Sequence, residues 1–202
     1  MGQTEPAQLA DVKPFSDRHN ESIQWMMSIR SKMMAKTVLV TYASQTEATA
    51  EVAEFIGKTL EDQGLLVMVK PVTQVPDASP FEAVVVGSGV QMEHTYREAQ
   101  QFLKRSRSVL AHKPLGLFIT CASLSKDTPE ARAKAENYMA QLTGAAGVPV
   151  VDQTAFAGRM DMARVKGLMG MLMRKSDVQA EDWRDWEAIR QWALGLARQW
   201  NA

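Results

Sequence analysis

The sequence predicts an α/β fold: a doubly wound, five-stranded parallel sheet of order 2-1-3-4-5 between two layers of helices. Three observations predict it. Short apolar, β-branched runs alternate with amphipathic helical segments from Lys36 onward. Those runs are apolar throughout, as strands covered on both faces are. A hydroxyl-rich loop joins the first run directly to a helix start, at the place where such sheets bind ligands.

The elements follow in order. Thr37–Tyr42 reads as a buried strand. Thr49–Gln63 reads as a helix with Val52, Ala53, Ile56 and Leu60 on one face, and Gly64 stands where a helix-ending glycine belongs. Leu65–Val72 is a second strand and Ala83–Val86, ending at Gly87, a third. Tyr96–Leu110 is a helix with Ala99, Phe102 and Leu103 inward, and Leu115–Thr120 is the fourth strand. Thr128-Pro129 is a strong helix start, with Thr as N-cap and Pro at the first helical position. That helix runs to about Leu142, and Val148–Ala157 is the fifth strand. Met162–Arg174 reads as a Met-rich helix. A last helix from near Asp182 carries Trp186, Ile189, Ala193, Leu196 and Trp200 as one stripe, a spacing expected to clamp it onto the sheet.

Residues 36–202 are therefore expected to form one domain, a size that sustains a full core. Residues 1–35 form an N-terminal extension. Its first 18 residues are polar, without periodicity, and are expected to be disordered. Two readings of residues 20–34 stand side by side: a short amphipathic helix, or codons upstream of a true start at Met33 or Met34.

Composition narrows the function classes. Lys plus Arg and Asp plus Glu both number 23, so net charge gives no reason to expect nucleic acid as a partner. The single cysteine, Cys121, allows no intrachain disulfide. The N-terminus lacks a secretory pattern, and no apolar run approaches the ~20 residues that span a bilayer. The expected location is cytoplasmic. The run Arg159–Lys175 mixes Arg159, Arg164, Lys166, Arg174 and Lys175 with methionines and leucines. It reads first as a helix packed on the domain, and second as a peripheral contact with the inner membrane face or a partner.

Three familiar sites fail at the switch-point loops. There is no G-x-x-x-x-G-K-[ST] run for a nucleoside triphosphate. Gly87-Ser88-Gly89 follows strand 3 and lacks the third glycine of a dinucleotide fingerprint. A phosphorylatable aspartate is absent at the end of strand 3. What remains is the loop Ser44-Gln45-Thr46-Glu47-Ala48-Thr49, whose hydroxyls and amides suit a phosphate. The plainer alternative is an N-cap by Thr46 or Thr49. No metal site is expected.

Five segments, TVLVTYASQTEATAEVAE, AVVVGSGVQM, CASLSKDTPEARAKAENYM, FAGRMDMARV and DWRDWEAIRQWA, carry a resemblance. The chain resembles the flavodoxin superfamily, and within it the proteins similar to menaquinone-dependent protoporphyrinogen IX dehydrogenase. The resemblance implies a flavodoxin-like fold and a non-covalent FMN. Carried over, Ser44, Gln45, Thr46, Ala48 and Thr49 hold the phosphate. Gly87, Ser88, Gly89, Val90, Gln91 and Met92 flank the isoalloxazine ring, and Cys121, Ala122, Ser123 and Leu124 close the other side. The implied activity is flavin electron transfer, with protoporphyrinogen oxidation by a quinone acceptor in haem biosynthesis as the specific form. The alternatives are an electron carrier serving protein partners and a flavin-free binding module. No catalytic residue is assigned.

Two departures weaken the expected FMN site. Glu47 stands where the family usually has glycine. A carboxylate about 8 Å from a phosphate dianion, at an effective dielectric of about 40, opposes binding by roughly 2 kcal/mol. Glu93 and Thr95 stand where glycine and an aromatic are common, leaving Tyr96 as the nearby aromatic. Of the other residues, His94 is expected to be solvated, Cys121 to be a buried inert thiol, and Asp127 to support the turn before Thr128.

Overall fold

Every central strand carries apolar residues on both faces, and the observed sheet uses both. A computed structural model of the chain describes residues 35–160 and 181–201. The chain divides into two compact units, Met1–Ala35 and Lys36–Ala202, and the second holds every element described. Segment 1–34, with its two readings, lies outside the described residues, as do the expected helix Met162–Arg174 and all of the basic run beyond Met160.

Strands β1 (Thr37–Ala43), β2 (Leu66–Pro71), β3 (Ala83–Gln91), β5 (Leu115–Cys121) and β6 (Asp152–Ala157) pair in parallel in the order β2-β1-β3-β5-β6. Strand β4 (His94–Thr95) folds back antiparallel on β3. Counting the parallel strands alone, this is the predicted 2-1-3-4-5 order.

Side-chain alternation sorts the strands' residues into two cores. Val38, Val40, Ala83, Val85 and Phe118 face α1 (Glu47–Asp62) and α5 (Trp186–Asn201). Leu39, Val84, Val86, Leu117 and Ile119 face α2 (Arg97–Arg105) and α4 (Pro129–Ala146). The tryptophan stripe packs as its spacing predicts: Ile189, Ala193 and Leu196 are fully buried and Trp200 nearly so. Ile189 and Leu196 each contribute roughly 1.5–3 kcal/mol by burial. Gln63 ends α1 and Gly64 follows at φ +86, the left-handed position that glycine occupies without steric cost.

Several element bounds differ from the sequence reading: α1 starts two residues earlier, at Glu47, and α4 runs on to Ala146. Strand β3 continues past Gly87 to Gln91, so Gly87-Ser88-Gly89 is strand and not loop. The helix expected over 96–110 is two helices, α2 and α3 (Arg107–Leu110), broken at Ser106 with φ −92 and ψ 3. Arg105 there bonds the Val72 and Val75 carbonyls while Arg107 bonds those of Ala145 and Ala146, so the two arginines anchor the break from opposite sides. The fifth strand starts at Asp152. Val148 and Val150 pack against the core from a loop that contains Pro149, which has no N–H to donate to a ladder. Finally, Asp182 lies in β8 (Glu181–Asp182), which pairs with β7 (Arg159–Met160). Helix α5 begins only at Trp186, with the Asp185 carboxylate accepting the Ala188 N–H at 2.9 Å.

Candidate functional site

The carboxyl ends of β1, β3 and β5 converge on three connections: Ser44–Thr46, the turn at Met92–Glu93, and Ala122–Thr128. The first leads straight into α1. Thr46 holds the N-cap position at φ −114 and ψ 155, yet its side chain makes no capping bond. Thr128, in almost the same conformation at φ −117 and ψ 155, does cap α4, accepting the Ala131 N–H at 3.2 Å. The plain N-cap reading of Thr46 is thereby corrected: Thr46 holds the N-cap position, but its side chain does not cap the first turn of α1. Ser44 instead organises the loop on itself, its hydroxyl donating to the Thr46 carbonyl and accepting the Thr46 N–H at 3.2 Å. Thr128→Ala is expected to cost about 1 kcal/mol and Thr46→Ala less than about 0.5 kcal/mol, read as the difference in urea midpoint.

The other phosphate candidates divide by exposure. Gln45, Thr46 and Glu47 are exposed and Ser44 is half-buried. Ala48 and Thr49 are buried. The Thr49 hydroxyl lies 2.7 Å from that of Thr120 on β5, beneath the loop. It reaches across β3 because Gly89 leaves room: a Cβ there would lie 3.0 Å from the Thr49 hydroxyl and 2.8 Å from the Tyr96 ring. One edge of the half-buried Tyr96 ring packs over Gly89, and the residue also lines a small pocket with Ser44 and Gln45. Its N–H donates to the Ser88 hydroxyl at 2.9 Å, and its phenol meets the Gln45 amide. Burial pushes the Tyr96 pKa up, against the opposing Gln45 bond.

The ring-side candidates are also sorted. Gly87, Ser88 and Gly89 are buried within β3, leaving Val90, Gln91 and Met92 toward the surface. Met92 and Glu93 form a two-residue turn at φ 48 and φ 66, positions that favour Asn and Gly. Helix α4 holds this turn. Tyr138 donates to Glu93 at 2.5 Å, Lys134 approaches the same carboxylate at 3.3 Å, and Gln141 donates to the Glu93 carbonyl at 3.0 Å. Tyr138 and then Lys134 hold the Glu93 carboxyl below the usual range. The charge expected to oppose a flavin is thus drawn toward α4 and paired. Across from the turn, Cys121 is buried and burial pushes its thiol pKa up, the state of an inert thiol. Ala122, Ser123 and Leu124 form a half-buried 3₁₀ turn. His94 is exposed, and Asp127 pairs with Arg132 at 2.6 Å.

Tyr138 and Gln141 were not visible as site residues in the sequence, where each reads as part of a helix. Among the described residues no group of three or more His, Cys, Asp or Glu is placed to hold a metal, and no helix is long and apolar enough to cross a membrane. A groove of about 560 Å³ lies between α4 and edge strand β6 and shares only Leu124 with the candidate site.

Comparisons with known proteins agree with the fold. A short-chain flavodoxin associated with a PDU bacterial microcompartment is 18% identical, with TM-score 0.55 over 81% of this chain and 98% of its own. Flavodoxin 1 from Bacillus cereus is 15% identical, with TM-score 0.53 over 80% and 97%. A flavodoxin from the domain Archaea is 16% identical, with TM-score 0.52 over 82% and 99%. At such identities the likeness establishes the fold. No curated protein matches the chain. A family model described as the flavodoxin domain matches residues 39–183. The chain belongs to the flavodoxin-domain family.

Proposed function

We propose that this domain binds FMN and works as an electron-transfer flavoprotein. The observation that carries the reading is the contrast between Thr46 and Thr128: the same N-cap geometry, with the side-chain cap made at α4 and absent at α1. An anion at α1 would meet backbone amides, the positive helix end and the Ser44 and Thr46 hydroxyls. Ser44, Gln45, Thr46 and Ala48 are the residues that would hold the phosphate, with Thr49 shaping the loop from below. Val90–Met92 and Ala122–Leu124 would flank the ring. Bound FMN supplies one- or two-electron chemistry, and the protein supplies position and electrostatics. Glu47, exposed at the first helical position, is the residue in this set that disfavours a phosphate.

The finer reading is oxidation of protoporphyrinogen IX with a quinone acceptor. Its support is the resemblance of CASLSKDTPEARAKAENYM, which spans the end of β5, the 3₁₀ turn and most of α4. A cytoplasmic location, a protein redox partner and a peripheral membrane contact through Arg159–Lys175 belong to the same reading.

Titration of the full chain with FMN and with riboflavin tests the main proposal. FMN should bind at least about tenfold more tightly, because only FMN carries the phosphate. Thr46→Ala should lower FMN affinity and leave riboflavin affinity unchanged. Equal affinity for the two flavins, or uptake of neither, would falsify it. Protoporphyrinogen turnover with a quinone then separates the enzyme from a carrier.

A further inference from the structure

Two connections flank the expected ring site, one after β3 and one after β5, and helix α4 packs beside both. Tyr138 projects from α4 and is 3% exposed. Its phenol donates to Glu93, in the turn after β3, at 2.5 Å. Helix α4 also packs against the 3₁₀ turn after β5, where Ser123 acts on the same phenol and lowers its pKa. Burial first, then the hydrogen bond to Glu93, push the Tyr138 pKa up, so the phenol stays a donor.

The turn it grips needs a grip. Neither Met92 nor Glu93 is a residue that relaxes at positive φ, and Met92 is 87% exposed with no packing to hold it. Such backbone persists only where the surroundings over-determine it. Here α4 supplies the surroundings: Gln141 donates to the Glu93 carbonyl and accepts the Thr95 N–H at 3.1 Å, while Tyr138 holds the Glu93 side chain.

We propose that Tyr138 is a positioning residue that fixes the spacing between the Met92–Glu93 turn and the Ala122–Ser125 turn, and so sets the slot for a planar flavin ring. The assignment of that slot to a flavin rests on the function proposed above. The bridge itself does not.

The test compares the wild type with Tyr138→Phe and with the surface variant Glu93→Gln, using FMN, riboflavin and amide hydrogen exchange without ligand. Tyr138→Phe should weaken FMN and riboflavin by the same factor, about five- to tenfold, because the phosphate loop is untouched. Exchange should speed up in both turns for Tyr138→Phe and at 91–95 alone for Glu93→Gln. Unchanged flavin affinities, or loss of FMN with riboflavin retained, would overturn the slot. Faster exchange at only one turn in Tyr138→Phe would overturn the bridge. Wild-type protein that takes up neither flavin overturns the flavin reading and the slot with it, while the exchange comparison still decides the bridge.

Discussion

Gly87→Ala is expected to destabilise the domain by about 2–3 kcal/mol, at the upper end of the usual cost of overpacking a core. Gly87 pairs with Phe118 across β3 and β5. A Cβ built on Gly87 would lie within 3.0 Å of three atoms of the Phe118 ring. The ring has nowhere to go. It is fully buried and held against Phe156 at 6.2 Å and Trp192 at 6.1 Å between centroids, and those two rings contact each other at 5.9 Å. Phe118→Leu alone should cost about 1–2 kcal/mol through lost burial. The double variant should cost at least about 1 kcal/mol less than the two single losses together, because leucine vacates the space that the new methyl needs. Urea midpoints at unchanged slope are the measurement. Strict additivity would show that Gly87 is not there to admit the ring. A loss of flavin affinity with stability intact would return Gly87 to the ring-flanking role that its sequence position implies.

That glycine also shows what the sequence could and could not convey. The fold was legible because alternation in β1, β3 and β5 supplies two cores, and because Thr128-Pro129 and Gly64 punctuate helices in ways with one physical meaning each. Gly87-Ser88-Gly89 was misleading because glycine signals turns locally. Here the glycines admit neighbours distant in sequence: Phe118 at one position, Thr49 and Tyr96 at the other. The Met92–Glu93 turn lacks the Asn-Gly signature that would have announced a hairpin. The phosphate loop was legible as a chemical composition. Its missing cap, and the roles of Tyr96 and Tyr138, depend on three-dimensional contacts that no spacing rule encodes.

Arg184→Met is expected to cost about 2 kcal/mol at neutral pH, and most of that cost should vanish in acid. The Arg184 side chain is only 3% exposed. It reaches Glu51 on α1 at 2.5 Å, grips Asp182 through two bonds at 2.7 and 2.6 Å, and lies 4.5 Å from the centre of the Trp186 ring. Methionine keeps much of the volume and removes the charge. Breaking a fully buried pair costs about 3–5 kcal/mol, but Glu51 and Asp182 are 33% and 40% exposed and regain water, which lowers the figure. Glu51 also keeps Arg159, at 3.3 Å. Arg184 is the main reason that the Asp182 carboxyl sits below its ordinary pKa. A carboxylate depressed in the folded state stabilises above its unfolded pKa of about 3.9, and loses that contribution as pH falls through the folded value. The stability gap between wild type and Arg184→Met should therefore be full at pH 7 and shrink steadily below about pH 4. A gap of equal size at pH 7 and pH 3 would mean that Arg184 acts through its packing on Trp186 alone. Because Glu51 lies one turn beyond Glu47 on α1, the same pairing ties the β7–β8 strand pair to the helix whose first turn forms the candidate phosphate site. Loosening it should weaken FMN more than riboflavin, the opposite of the equal loss expected at Tyr138.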